Sequence, residues 1–234
     1  MREDRENHIH FNESLIPWSA TYRIIPSKFP PINFFENLTD PDLLEALYFI
    51  ESLTNDRLRD EIGDITLVKK EDRVVGSGAS VVMASFTHIS TSRFSDGTFG
   101  VYYAARDLET AIKETVYHQE QFMRYTSESA GELTMRVYKS KQILKPLVDI
   151  RSSDCAKYHL PNDYSPSQQL GLQLKEKDNW GLVYQSVRHQ GGECVAIFRP
   201  PAIGLPVIQT KHLRYFWNGK CIESVLELRE MLSL

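Results

Sequence analysis

The chain has 234 residues, 41% of them hydrophobic and 25% charged, an ordinary globular composition with enough length to bury a substantial core in one domain. Its 27 basic and 31 acidic side chains leave a net charge of -4, which excludes the strong positive field of a nucleic-acid or anionic-membrane binder. Any anionic ligand must therefore be held by a few placed cations.

Residues 1–6 are charged with both signs and lead into no apolar signal-peptide core, so a cytoplasmic protein is expected. Residues 1–20 read as an arm lying on the fold, and His8 and His10 lack the further ligands of a metal site, so no metal is expected. A first strand runs from Tyr22 to Ile25 and stops at Pro26. The pair Pro30-Pro31 then forces an extended connection. Asp40 and Pro41 form the cap and first turn of a helix through Leu43, Leu44, Leu47 and Ile50, and a second short helix is expected over Leu58 to Ile62. The branched and small residues of Ile65 to Val68 and Ser80 to Phe86 suggest strands.

A turn-rich stretch, Ser92 to Gly97, precedes a short buried strand ending in Tyr102-Tyr103-Ala104-Ala105. Because strand side chains alternate, the two tyrosines should face opposite ways. Asp107 is a candidate cap for the clearest helix of the chain, with an apolar stripe of Leu108, Ala111, Ile112, Thr115, Val116, Phe122 and Met123. Strands are expected at Glu132 to Tyr138 and at Ile143 to Ile150, the latter as an edge or bulge because of Pro146. Ser165-Pro166 opens a further helix through Leu174. Two hairpins close the chain: Gly181–Tyr184 with Cys194–Phe198, and Leu213–Trp217 with Lys220–Glu223 around the Asn218-Gly219 turn. With no repeat or long linker, the expected architecture is α+β, a single domain on a mixed, largely antiparallel sheet. Cys155, Cys194 and Cys221, odd in number and widely spaced, read as core thiols rather than disulfides or zinc ligands.

Arg93-Phe94, then Tyr103 at a strand end, then Glu114 on an alanine-containing helix, resembles the central block of RES-domain proteins, a family named for an arginine, a glutamate and a serine. The glycine-led stretch Gly181-Leu182-Val183-Tyr184-Gln185-Ser186 matches the family serine at Ser186, and Tyr22-Arg23 matches an earlier family arginine. The likeness runs from about Tyr22 to Pro201. Two departures stand out. Arg93 is followed by Phe94 where glycine-arginine-tryptophan is common, and residues 26–92 form a long insertion with its own helices between the two arginines.

The resemblance implies an ADP-ribosyltransferase-like fold for residues 21–234 and an NAD phosphorylase or NAD glycohydrolase activity. NAD would be the substrate, inorganic phosphate a candidate co-substrate, and no prosthetic group is needed. It also implies a toxin held in check by a cognate protein antitoxin that blocks the cleft, with no direct contact to nucleic acid or membrane. Glu114 would stabilise the positive charge that develops on the ribose as nicotinamide leaves. Arg93 and Arg23 would hold phosphates, Tyr103 would stack on the nicotinamide or ribose, and Ser186 would bond a ribose hydroxyl. His118, one turn beyond Glu114, lies outside the family motif. Taken singly, each of these is an ordinary surface, strand or turn residue; their joint order carries the signal. The rival functions are a protein ADP-ribosyltransferase, disfavoured by Ile112 where a second carboxylate would stand, and a catalytically silent binding protein on the same fold.

Overall fold

A computed structural model describes residues 11–29, 35–36 and 62–229. The helices expected over Asp40 to Ile50 and Leu58 to Ile62 fall, except for Ile62, outside the described residues, as do His8 and His10. Among the described residues, nine strands form one sheet: β1 (Glu13–Ser14), β2 (Thr21–Pro26), β3 (Tyr102–Ala105), β4 (Gly131–Ser140), β5 (Leu147–Asp149), β6 (Gly181–Gln185), β7 (Glu193–Ile197), β8 (Ile208–Trp217) and β9 (Ile222–Leu228). Their spatial order is β1-β5-β6-β7-β3-β2-β4-β8-β9, and only β5 and β6 run parallel. The mixed, largely antiparallel α+β architecture expected from the sequence is the one observed. No helix of the described residues is long and apolar enough to cross a membrane.

Strand alternation divides the core into two layers. Tyr102, 1% exposed, points into one layer with Ile65, Val82, Met83 and Phe86, whereas Tyr103 packs on the other with Phe94, Ala111, Val137 and Leu182. The helix α1 (Ala79–Thr87) covers the first face, while α2 (Leu108–Tyr125) and α3 (Ser165–Glu176) cover the second. The Asp107 cap of α2 is observed: its carboxylate accepts from Thr110 N at 2.8 Å, and Glu109 and Arg124 sit at the ends of the helix that suit their charges.

Four expectations are corrected. Ser80 to Phe86 is helix α1 rather than a strand, entered through Gly78 at φ +80°, a left-handed conformation that costs glycine nothing. Because α1 is buried on nearly all sides, it shows a continuous apolar run and no helical period, so its sequence imitates a core strand. Ile65–Leu67 is likewise a short 3-10 turn capped by Asp64, whose side chain accepts from Thr66 N. Of the stretch Ile143 to Ile150, only Leu147–Asp149 joins the sheet as a strand, between β1 and β6 rather than at an edge; Ile143 makes an isolated bridge to Ile203. Cys155 and Cys194 are buried free thiols, but Cys221 is exposed in the β8–β9 turn.

The sheet is joined unevenly at its centre. β2 pairs with β4 from Thr21 to Pro26, and β3 pairs with β7 along its whole length. β2 and β3 meet at Tyr22 opposite Ala105 and then part. Two cavities lie at the opening between them.

Candidate active site

Arg93 sits in the turn that precedes β3, and five hydrogen bonds fix that turn. Ser92 N donates to Ser95 O at 2.8 Å, closing it. The Tyr103 hydroxyl accepts from Phe94 N at 3.0 Å and lies 2.8 Å from Ser92 Oγ. From α3, Ser167 Oγ donates to Arg93 O at 2.7 Å and Gln168 Nε2 donates to Ser92 O at 2.9 Å. Gly171 permits this approach, since a Cβ there would lie 2.0 Å from Phe94 O. Thus held, Arg93 is 8% exposed, donates through Nη1 to Leu160 O at 2.8 Å and stacks 4.4 Å from the Tyr164 ring centre. Among the described residues its guanidinium pairs with no carboxylate.

Glu114 projects from α2, and Ser186 comes from the loop joining β6 to β7. The Ser186 hydroxyl donates to Glu114 Oε1 at 2.6 Å while its oxygen accepts from Arg188 N at 3.1 Å and His189 N at 2.9 Å. One hydrogen and two lone pairs are then all in use. The loop is clamped a second time, because His189 Nδ1 lies 2.8 Å from Thr110 Oγ1, whose hydrogen goes to the Asp107 carboxylate. The glutamate and the serine of the sequence motif, 72 positions apart, are therefore one hydrogen-bonded unit.

Arg23 reaches across the opening from β2 to β3, donating from Nη1 to Tyr103 O at 3.0 Å, with its guanidinium 4.8 Å from the Tyr102 ring centre. Its Nε is buried without a partner. Burial pulls its pKa down, opposed by the two neighbouring tyrosines.

Arg23, Arg93, Tyr103 and Glu114 all line one cavity of about 340 Å³, closed further by Tyr164, Tyr184 and His118. Four of the five residues singled out from the sequence are thus brought to one wall. Ser186, 9% exposed, lies outside this lining and reaches it only through its hydrogen bond to Glu114. The Tyr103 hydroxyl is spent on the Arg93 turn, leaving the ring face for stacking; burial lifts that phenol to about 12, so it stays protonated. Cys194 also lines the cavity, but burial pushes its thiol well above the ordinary range, with Glu114 adding to the effect, which leaves it inert as a nucleophile. His118 keeps an exposed edge, yet desolvation at the crowded lip lowers its pKa against an upward pull from Glu114.

Sequence reasoning missed Tyr164, because an aromatic in an irregular loop carries no periodic signal. A second cavity, of about 570 Å³, adjoins the first and shares Arg23, Ile24, Ser92 and Tyr103 with it, so those residues form a partition between two lobes of one cleft.

The sequence model of one protein family, the RES domain, matches residues 70–218. A protein of Sinorhizobium fredii (strain NBRC 101917 / NGR234), y4oC, is 32% identical over 200 residues, spanning 85% of this chain and 83% of the relative. Among solved structures, a chain of the M. tuberculosis MbcT-MbcA toxin-antitoxin complex aligns over 88% of this chain and 88% of its own, at 8% identity and a TM-score of 0.45.

Proposed function

This chain belongs to the RES-domain family, and from that membership and the cleft geometry we propose that it is a toxin enzyme that cleaves the nicotinamide–ribose bond of NAD. The observation that carries the reading is the Glu114–Ser186 pair, a carboxylate fixed by a fully engaged hydroxyl, on the wall of a cavity whose arginines lack carboxylate partners among the described residues.

The chemistry asks little more. As the glycosidic C–N bond breaks, its electron pair passes to the pyridinium ring and nicotinamide departs neutral, so no general acid is required. The ribose carbon is left electron-poor, and Glu114 supplies the opposing charge. Arg93, with one edge of its planar fork committed to Leu160 O, holds phosphate oxygens with the remainder. Tyr103 and Tyr164 offer ring faces. An acceptor oxygen, from water or from inorganic phosphate, then forms the new bond to the ribose carbon. When water is the acceptor, its proton goes to His118, whose lowered pKa keeps it neutral at pH 7 and which stands one helical turn from Glu114.

The test is to incubate the purified protein with NAD, with and without phosphate, and to identify the products by chromatography and mass spectrometry. Free nicotinamide with ADP-ribose under both conditions denotes hydrolysis. A phosphorylated ADP-ribose formed only with phosphate denotes phosphorolysis. Absence of nicotinamide in both sinks the enzyme reading. In cells, production of the chain should arrest growth and deplete NAD, production of the Glu114→Gln variant should do neither, and a cognate antitoxin should relieve the arrest by blocking the cleft.

A further inference from the structure

The loop that joins β6 to β7 is attached to α2 at two points, and the proposed bond cleavage uses only one of them. Ser186 Oγ donates to Glu114 Oε1 at 2.6 Å. Further along the loop, His189 Nδ1 lies 2.8 Å from Thr110 Oγ1. Thr110 and Glu114 stand one turn apart on α2, so they share a face of the helix with their Cβ atoms about 5–6 Å apart. The loop therefore docks on consecutive turns of that face.

The contact at Thr110 has a defined polarity. Thr110 Oγ1 lies 2.9 and 2.8 Å from the two Asp107 carboxylate oxygens, and Asp107 also accepts from Thr110 N at 2.8 Å as the cap of α2. The single hydroxyl hydrogen goes to the carboxylate. Toward His189 the oxygen can then only accept, so the ring carries a hydrogen on Nδ1. Thr110 is thereby excluded as a nucleophile, because the imidazole donates to the hydroxyl instead of taking its proton. The other ring nitrogen, Nε2, stands 3.6 Å from Glu109 Oε1, and a hydrogen placed there would leave the Nδ1 donation intact.

Backbone bonds stiffen the loop between its two attachments. Ser186 N donates to Gly192 O at 2.8 Å, Gly192 N donates to His189 O at 2.9 Å, and His189 N donates to Ser186 Oγ at 2.9 Å. Gly192 approaches the Thr110 contact so closely that a Cβ there would lie 2.7 Å from Thr110 Oγ1 and 3.0 Å from His189 Nδ1. Thr110 is fully buried, and neither it, Asp107 nor His189 lines either lobe of the cleft. What these groups can alter is the placement of Ser186, and through it that of Glu114.

We infer that His189 is a positioning residue, which together with Thr110 and Asp107 fixes the aim of the Glu114 carboxylate. One hydrogen bond from Ser186 would let the carboxylate swing with the loop. The second attachment, a turn away on the same helix, removes that freedom. The effect on rate rests on the NAD reading, whereas the docking of the loop does not.

The experiment measures nicotinamide release from NAD by the full chain, with kcat and KM determined separately, for wild type, His189→Ala, His189→Asn and Gly192→Ala. Melting temperatures are recorded alongside, and 15N NMR of the histidine rings reports which nitrogen carries hydrogen. His189→Ala should lower kcat by about tenfold to 100-fold, the scale of a reacting group displaced by about an ångström, with KM changed by less than about twofold. Asparagine offers an amide N–H where Nδ1 stands, so His189→Asn should recover most of the rate. Gly192→Ala removes no hydrogen-bonding group, yet it should lower kcat in the same way by wedging the contact open. The wild-type ring should hold its hydrogen on Nδ1. Wild-type kcat in a folded His189→Ala, a His189→Asn as slow as His189→Ala, or a ring hydrogen on Nε2 alone overturns the inference. If His189→Ala does not fold, Gly192→Ala takes its place, and wild-type kcat in that folded variant overturns the inference equally. A wild-type protein that releases no nicotinamide but holds the His189 hydrogen on Nδ1 fails the NAD reading and keeps the two-point docking.

Discussion

At the scale of single residues, the Glu114–Ser186 pair divides catalysis from support. Glu114→Gln keeps an oxygen that can accept from Ser186 but removes the charge, so nicotinamide release should fall by about 100-fold or more. The melting temperature should change little, because the fold asks only for a hydrogen-bond acceptor there. Ser186→Ala should behave in the opposite proportion. It orphans Glu114 Oε1 and the two backbone N–H groups of Arg188 and His189, and buried donors left unmet cost about 1–3 kcal/mol each. Its stability should therefore drop more than that of Glu114→Gln, with the smaller loss of rate. Equal melting curves for the two variants, or a larger rate loss in Ser186→Ala, would reverse these roles. The sequence contained both residues and their order but not this relation. Serine at a strand end is ordinary turn chemistry, and that its hydroxyl is saturated follows only from the loop folding back onto α2.

His159 adds a titratable feature at the same scale. Its Nδ1 lies 3.0 Å from Cys155 O and its Nε2 lies 3.2 Å from Gln185 N, so the neutral ring donates at one nitrogen and accepts at the other. Desolvation lowers its pKa, as it does for His118. A histidine with a depressed folded pKa binds fewer protons folded than unfolded below its ordinary value of about 6.5, so stability should decline as pH falls from there toward the folded pKa. Melting temperatures measured from pH 7.5 to 5 should show this decline, and His159→Gln should flatten part of it. A profile in which His159→Gln falls as steeply as wild type would place the acid sensitivity elsewhere.

At the scale of elements, helix α3 positions the Arg93 turn. Glycine inside an exposed helix normally costs about 1 kcal/mol against alanine, so Gly171→Ala should stabilise if only propensity mattered. A Cβ at that position meets the Phe94 carbonyl at 2.0 Å, which obliges α3 and the turn to separate. The expected outcome is a lower melting temperature together with weaker ADP-ribose binding through the displaced Arg93. A more stable, fully active variant would show that the turn does not need the contact. The helices α2 and α3 were legible because each has a starting signal and an amphipathic period. α1 was not, since burial on nearly every side erased the period on which the distinction from a strand depends.

At the scale of the whole molecule, the cleft lies where the sheet holds itself together least, at the parting of β2 and β3. No local sequence pattern reports that parting; it emerges from β2 committing its pairing to β4 and β3 to β7. A ligand seated there would touch Arg23 from β2, Tyr103 from β3, Arg93 from its turn and Glu114 from α2, tying four separately held pieces together. Binding to the folded state alone raises stability by RT ln(1 + [L]/Kd), about 2.7 kcal/mol at a hundredfold excess over Kd. For a chain of this length each kcal/mol corresponds to roughly 2–4 °C. NAD added to Glu114→Gln, which should consume it more slowly by about 100-fold or more, should therefore raise the melting temperature by about 5–10 °C. The same addition to the Arg93→Gln, Glu114→Gln double variant should give a much smaller shift. Equal shifts in the two proteins would mean that the dinucleotide, if it binds, is held away from the Arg93 lobe, and the assignment of that lobe to the reacting half of NAD would have to be abandoned.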